Sequence, residues 1–525
     1  LEEGIRLACL AKAANHIVVR IPDEVRLHSQ KILTKGIAGK SQLEPSVKKC
    51  YLQLSSPDLK NQVSDIESVL SGLKDKVKDK SLLMPANLSW DLDFLQSLPD
   101  LLRQENFKTT CVVDNSKLIT LEPGDTSKRL FGLSLDIGTT TVAGSLIDLS
   151  SGKEIAVASK MNEQVIWGDD VISRINFVID DFKNLAKLHS KIIEVVNSII
   201  QELCQKSEIR SNEIYQAVVV GNPTMSHFLL NVSPVNIASL PFITVFDSRI
   251  SVKAKDIGVN INSKANLIVL PGISGFVGAD TIGVILSTGI YKKKQLSLAV
   301  DIGTNGEVVL GSTDRIMACS TAAGPAFEGA RIEHGMRASL GAIESVVIEN
   351  TKVKFGVIGG GEPVGICGTG VIDVLSQLLK NDIMDNTGRM NQDRFLLYKN
   401  KNRVIDITQK DIREVQLAKG AIRAGIEILK EQMKVDYDDI KEVLLAGAFG
   451  NYIRKDSAVG IGLIPEQLKN KIKFIGNAAF AGAKMALIST KMMRRAEKIA
   501  DKTEYIELSN RTDFQEEFAK AMMFN

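Results

Sequence analysis

The sequence predicts an α/β chain of two duplicated lobes preceded by a linker and a small α+β domain, and three observations carry that prediction. Leu133-Ser-Leu-Asp136-Ile-Gly138-Thr139-Thr140 and Leu298-Ala-Val-Asp301-Ile-Gly303-Thr304-Asn305-Gly306 are β-rich runs with nearly the same ending, each followed by a second β-rich run, over 142–147 and 307–311. Farther along each half, a buried-strand run enters a glycine turn and then a helix-like segment. These are Val218-Val-Val-Gly221-Asn222-Pro223 and Val443-Leu-Leu-Ala446-Gly447-Ala448-Phe449-Gly450. The spacings differ, since Asp136 and Asp301 stand 165 residues apart but Gly221 and Gly447 stand 226 apart. A duplication with an insertion of roughly 60 residues in the second half is the simplest account.

Each Asp-Ile-Gly-Thr run reads as a hairpin with a phosphate-sized mouth. Glycine lets the backbone turn where a Cβ would clash, the turn N–H groups and threonine hydroxyls face an anion, and the aspartate can hold a hydrated metal ion. A single hairpin is also what any tight turn would look like. A pair can clasp a nucleotide triphosphate from two sides, and the second differs usefully because Asn305-Gly306-Glu307 adds an amide and a carboxylate.

Composition narrows the partners. With 525 residues and 44% hydrophobic content the chain holds more than one domain with sizeable cores. A net charge of +3 and only 5% aromatics, without a basic patch interleaved with aromatics, argue against nucleic acid. No apolar run approaches the roughly 20 residues of a membrane helix, and Glu2 and Glu3 stand where a signal peptide would be basic. The expected compartment is the cytoplasm. Six scattered cysteines without CxxC pairs fit reduced thiols.

In chain order, residues 1–22 contain Gly4-Ile-Arg6-Leu-Ala-Cys9 and then the strand-like Asn15-His-Ile-Val-Val-Arg-Ile-Pro22. This is similar to the tail of a plant-type 2Fe-2S ferredoxin domain. The resemblance makes Cys9 the fourth cluster ligand, with the other three expected upstream and the chain a truncation; read alone, Cys9 is an ordinary thiol. Residues 23–44 read as a linker. Residues 45–128 form the small α+β domain, with a strand over 49–54, a helix over 58–73 opened by Ser56-Pro57, a helix over 92–104, and strands over 109–114 and 118–121.

The first lobe spans 129–295. Within it Asp169 or Asp170 would serve as a general base, or Asp169 as the N-cap of the next helix. The second lobe spans 296–525. Its run of small residues at Gly324-Pro325-Ala326-Phe327-Glu328-Gly329, with Arg331 and Arg337 nearby, suggests backbone lying close to a ligand. Gly368, Thr369 and Gly370 open a helix whose N-terminus suits phosphate or adenine.

Together these stretches resemble the reductive activators of corrinoid proteins, within the superfamily of acetate and sugar kinases, heat-shock ATPases and actin. The resemblance covers nearly all of the chain. It implies an actin-like ATPase fold of two lobes hinged over ATP and Mg²⁺, which drives an electron from an iron-sulfur cluster onto the cobalt of a corrinoid protein. Asp136 and Asp301 would then hold Mg²⁺ through water, and Gly138, Thr139, Thr140, Gly303, Thr304, Asn305 and Gly306 would line the phosphates. Glu307 would orient the attacking water, with Gly447, Ala448, Phe449 and Gly450 against the adenosine. A corrinoid protein and an upstream electron donor are the implied partners, and a homodimer stays open. Two alternatives share the fold: a small-molecule kinase, and an activator of 2-hydroxyacyl-CoA dehydratases, for which Cys319 and Cys367 are the cysteines at hand.

Overall fold

A computed structural model of the chain describes residues 42–60, 62–78, 87–349, 352–447 and 453–524. Cys9, Ala448, Phe449 and Gly450 therefore lie outside the described residues. The small domain is a three-stranded antiparallel sheet, Val47–Gln53, Lys108–Asp114 and Lys117–Pro123, with Lys108–Asp114 in the middle. Helices Asp65–Lys78 and Leu92–Gln104 bury Val69, Leu73, Phe94, Leu98 and Leu102 against it. The first helix begins seven residues later than the sequence reading has it. Asp58 Oδ1 accepts from Lys60 N in a local turn that competes with helix, and Ser64 Oγ accepts from Glu67 N at the real start. The domain is fastened to the first lobe through buried polar contacts: Glu122 accepts from both Lys49 and Tyr215, and Gln216 donates to Ser46 at 2.8 Å. Glu44, at the end of the expected linker, pairs by backbone with Ile488 and Thr490.

The duplication is visible in the two six-stranded sheets. In the first, Phe131–Ile137, Thr141–Asp148 and Lys153–Met161 form an antiparallel meander. Ile214–Gly221 and then Asn266–Val269 add in parallel on the other side of Phe131–Ile137, and Ile250–Lys253 closes the edge. The second repeats the plan with Leu296–Ile302, Gly306–Gly311 and Ile316–Thr321 as the meander and Ile440–Ala446 and Ile472–Gly476 as the parallel strands. Here Thr503–Tyr505 takes the far edge. The expected insertion lies between the third and fourth strands. That interval carries two helices in the first lobe, but in the second it also carries a three-stranded sheet centred on Ala342–Glu349 and the hairpin Arg394–Lys399 with Val404–Thr408.

Each fourth strand carries a buried apolar run, Ala217–Val220 and Val443–Ala446, where it is covered on both faces. One core lies under each sheet, and a third, shared core joins the lobes. Two helices run through it, Ala279–Thr288 and Ala478–Ile488, packed so closely that a Cβ on Gly482 would fall 2.2 Å from the Gly283 carbonyl oxygen. This places the two hairpins face to face. No described helix is long and apolar enough to cross a membrane.

Candidate active site

A cleft of about 250 Å³ opens between the lobes, and its lining gathers most of the residues singled out from the sequence. Asp136, Gly138, Thr139 and Thr140 come from the first hairpin, Asp301, Gly303, Thr304, Asn305 and Glu307 from the second, and Gly368, Thr369 and Gly447 from the second lobe's loops. Three expected contacts, Gly306, Gly324 and Gly370, do not line it. Gly306 lies against Ile422 and Thr321, and Gly370 against the Ile343 carbonyl, so both leave room for packing instead.

The first hairpin is held by side chains from several elements. Asn222 caps the helix Pro223–Leu229 through Met225 N and donates its amide to Thr139 Oγ1 at 3.0 Å. Asn477 does the same for the helix Ala478–Ile488 through Phe480 N, and donates to Asp136 Oδ2 at 2.7 Å. Arg174 is wholly buried, giving its Nη2 to the Thr139 carbonyl at 2.6 Å, its Nε to the Gly168 carbonyl and its Nη1 to Gln164. Asp170, not Asp169, caps the helix Val171–Asp180 through Ser173 N, and it lies 3.7 Å from Arg331. A carboxylate so engaged is poorly placed as a kinase base.

The hairpins touch directly. Thr140 Oγ1 and Thr304 Oγ1 are 3.1 Å apart, and both donate to one carboxylate, that of Glu328, at 2.7 and 3.0 Å. Register sharpens the difference between the turns: Asp301 stands opposite Glu307, whereas Asp136 stands opposite Ala143.

Electrostatically the cleft is crowded with acid. Burial pushes Asp136 and Asp301 up to about 7, Asp280 adding repulsion to each, and burial alone raises Asp280 to about 6. Glu307 is pushed up as well, by burial and then by Asp280 and Asp301. Four carboxylates massed in one cavity are a poor arrangement for bare protein and a good one for a hydrated divalent cation beside phosphates. Sequence reading missed Asp280 and Asn477. The signal for Asn477 was present, since Gly476-Asn477-Ala478 after a strand repeats Gly221-Asn222-Pro223.

The remaining cysteines do not form a cluster site among the described residues. Cys319 is buried against the Gly425 carbonyl, and Cys367 borders the cleft while donating to the Ile343 carbonyl.

Comparison with known proteins gives one answer. Residues 37–128 match the RACo linker region, 131–293 the RACo middle region, and 295–525 the C-terminal domain of RACo, the ASKHA domain. The corrinoid activation enzyme RamQ of Eubacterium limosum is 36% identical over 438 residues, covering 79% of this chain and 74% of that protein. The [Co(II) methylated amine-specific corrinoid protein] reductase of Methanosarcina barkeri is 28% identical over 404 residues, covering 71% and 73%. A solved structure of a reductive activator for corrinoid, iron-sulfur protein superposes with a TM-score of 0.84 at 35% identity, covering 96% of this chain and 85% of that one.

Proposed function

This chain belongs to the RACo family, and from that premise we propose that it uses ATP to drive the one-electron reduction of Co(II) to Co(I) in a corrinoid protein of a methyltransferase system. The observation that carries the reading is the cleft, where two phosphate-type hairpins from two lobes meet 3.1 Å apart above four carboxylates. Asp136 and Asp301 would hold Mg²⁺, and Thr139, Thr140, Thr304 and Asn305 would grip the phosphates at Gly138 and Gly303. A metal held there would supply charge neutralisation for the phosphates. Glu307, across the ladder from Asp301, orients the attacking water. Gly368, Thr369 and the 447–450 loop receive the adenosine. An upstream electron donor, a 2Fe-2S cluster with Cys9 as one ligand, and a cytoplasmic setting belong to the same proposal.

Moving an electron uphill costs about 2.3 kcal/mol per 100 mV. A gap of a few hundred millivolts therefore calls for a driving reaction, and closure of two lobes on ATP biases one conformation of the activator–partner complex. With MgATP present, phosphate release is expected to accelerate when a Co(II) corrinoid protein is added, and the Co(II) paramagnetic signal to fall when a low-potential donor is supplied. Phosphate transfer to a small acceptor, indifferent to the corrinoid protein, would replace this reading with a kinase.

A further inference from the structure

The feature that the ATPase reading leaves unexplained is Glu328. An acidic cleft that is to receive a triphosphate gains nothing from another carboxylate at its centre, yet Glu328 reaches from the second lobe to the one point where the hairpins meet. Its Oε2 accepts from Thr140 at 2.7 Å and its Oε1 from Thr304 at 3.0 Å. A threonine hydroxyl has a single proton. With both protons given to Glu328, neither hydroxyl has one left for a phosphate oxygen.

We propose that Glu328 is an internal stand-in for a phosphate group: it holds the two hairpins together in the nucleotide-free cleft and must leave before the terminal phosphate of ATP can take the same two hydroxyls. The inference rests on the ATPase reading of the cleft. Chemically the substitution is balanced, because one anion with two acceptor oxygens is exchanged for another and no proton changes hands.

The local backbone suits a part that swings. Glu328 ends a single turn, Pro325–Glu328, that lies between Gly324 at φ +75° and Gly329 at φ +83°, two conformations that L side chains rarely adopt. Gly324, expected from the sequence to touch the ligand, is on this view a pivot. The same segment crosses the cleft twice more: Arg331 lies 3.7 Å from Asp170, and Arg337 Nη1 lies 2.7 Å from Met161 Sδ. Residues 325–337 thus form a strap from the second lobe with three footholds on the first, and Glu328 is the foothold that a nucleotide would contest.

A positioning role of this kind has a signature that a catalytic or merely structural one lacks. In Glu328→Gln the side-chain shape is kept and the charge conflict with phosphate is removed. Calorimetric titration is expected to give tighter binding, by about tenfold for a non-hydrolysable ATP analogue and by less for ADP, whose charge ends one phosphate short. The gain should shrink at high salt. A second variant, Glu328→Ala, should widen the nucleotide-free protein in small-angle scattering and return to wild-type dimensions with the analogue. Equal affinity of wild type and Glu328→Gln for both nucleotides would overturn the proposal while leaving the ATPase reading intact. A collapse of turnover at unchanged affinity would overturn it too, by making Glu328 a catalytic group. If the wild-type chain bound neither nucleotide, the ATPase reading would fall first and this inference with it.

Discussion

The two hairpins share a sequence and a strand plan, but they are held in opposite ways. Around the first, Asn477 fixes Asp136, Asn222 fixes the Thr139 hydroxyl and buried Arg174 fixes the Thr139 carbonyl. Around the second, Asp301 has no side-chain hydrogen-bond partner among the described residues, and it faces Glu307 across the ladder, a like charge where pairing is normally avoided. After duplication, one copy became an anchor preset by its neighbours. The other kept its charges uncompensated, the condition in which arrival of a cation and a phosphate makes the largest difference. This fits Glu307, on the second hairpin, as the hydrolytic side.

The comparison is tested most severely by removing one aspartate at a time. Asp301→Ala and Asp136→Ala should each lower ATP hydrolysis on the order of 100-fold or more, since each removes a proposed metal-holding group. Their stabilities should separate. Asp301→Ala relieves an uncompensated buried charge, whereas Asp136→Ala leaves the Asn477 amide without its acceptor at a cost of about 1–2 kcal/mol. In thermal melts without nucleotide, Asp301→Ala should therefore unfold at the higher temperature; the reverse order would mean that the second hairpin is the better supported.

Next in size is Arg174→Leu. It strips partners from the Thr139 and Gly168 carbonyls and from Gln164 in a wholly buried setting, so roughly 3 kcal/mol of stability should be lost. No side chain among the described residues does for the Thr304 carbonyl what Arg174 does for that of Thr139. A near-neutral melt would show that the first hairpin stands without its anchor.

The acid cluster gives a smaller, pH-dependent effect. Asp136 and Asp301 titrate near 7 and Asp280 near 6, against about 4 when unfolded. The folded, nucleotide-free protein thus binds more protons than the unfolded chain between those values. This contribution to stability is full below pH 4 and is lost as the pH rises through 7. Metal binding runs the other way, because it expels those protons, so Mg²⁺ affinity should climb from pH 6 to pH 8. A flat Mg²⁺ titration across that range would remove the carboxylates from the metal site.

Much of this was legible in the sequence because it rests on short-range patterns. The hairpins, the strand–glycine–helix followers and the inserted length could all be read from spacing, and the cleft gathers nine of the residues those hairpins supplied. What was hidden depends on distant segments meeting. Asp280 looks like an ordinary first-turn acid until the helix Ala279–Thr288 is threaded between the lobes, and Asn477 reaches Asp136 across 341 residues. Glu328 was noticed beside small residues, but nothing local indicates that its partners are Thr140 and Thr304. The start of the helix at Asp65 was missed for a different reason: two serine-led openings compete nearby, and the Asp58 turn decides between them.

The finest test of the asymmetry lies at the contact between the second hairpin's glutamate and a neighbouring serine. Ser320, opposite Glu307 in the ladder, offers its hydroxyl to Oε1 at 3.5 Å, long enough that little is gained from it. Ser320→Ala should cost under about 0.5 kcal/mol and leave hydrolysis within about twofold, whereas Asn477→Ala, which frees Asp136 and uncaps a helix, should cost about 1 kcal/mol or more. Each substitution removes one side-chain donor from a hairpin carboxylate, so with the cost of the lost helix cap set aside their ratio measures how differently the copies are supported. Equal costs would mean that Glu307 is steered by Ser320 as firmly as Asp136 is by Asn477, and the division into anchored and open hairpins would have to be abandoned.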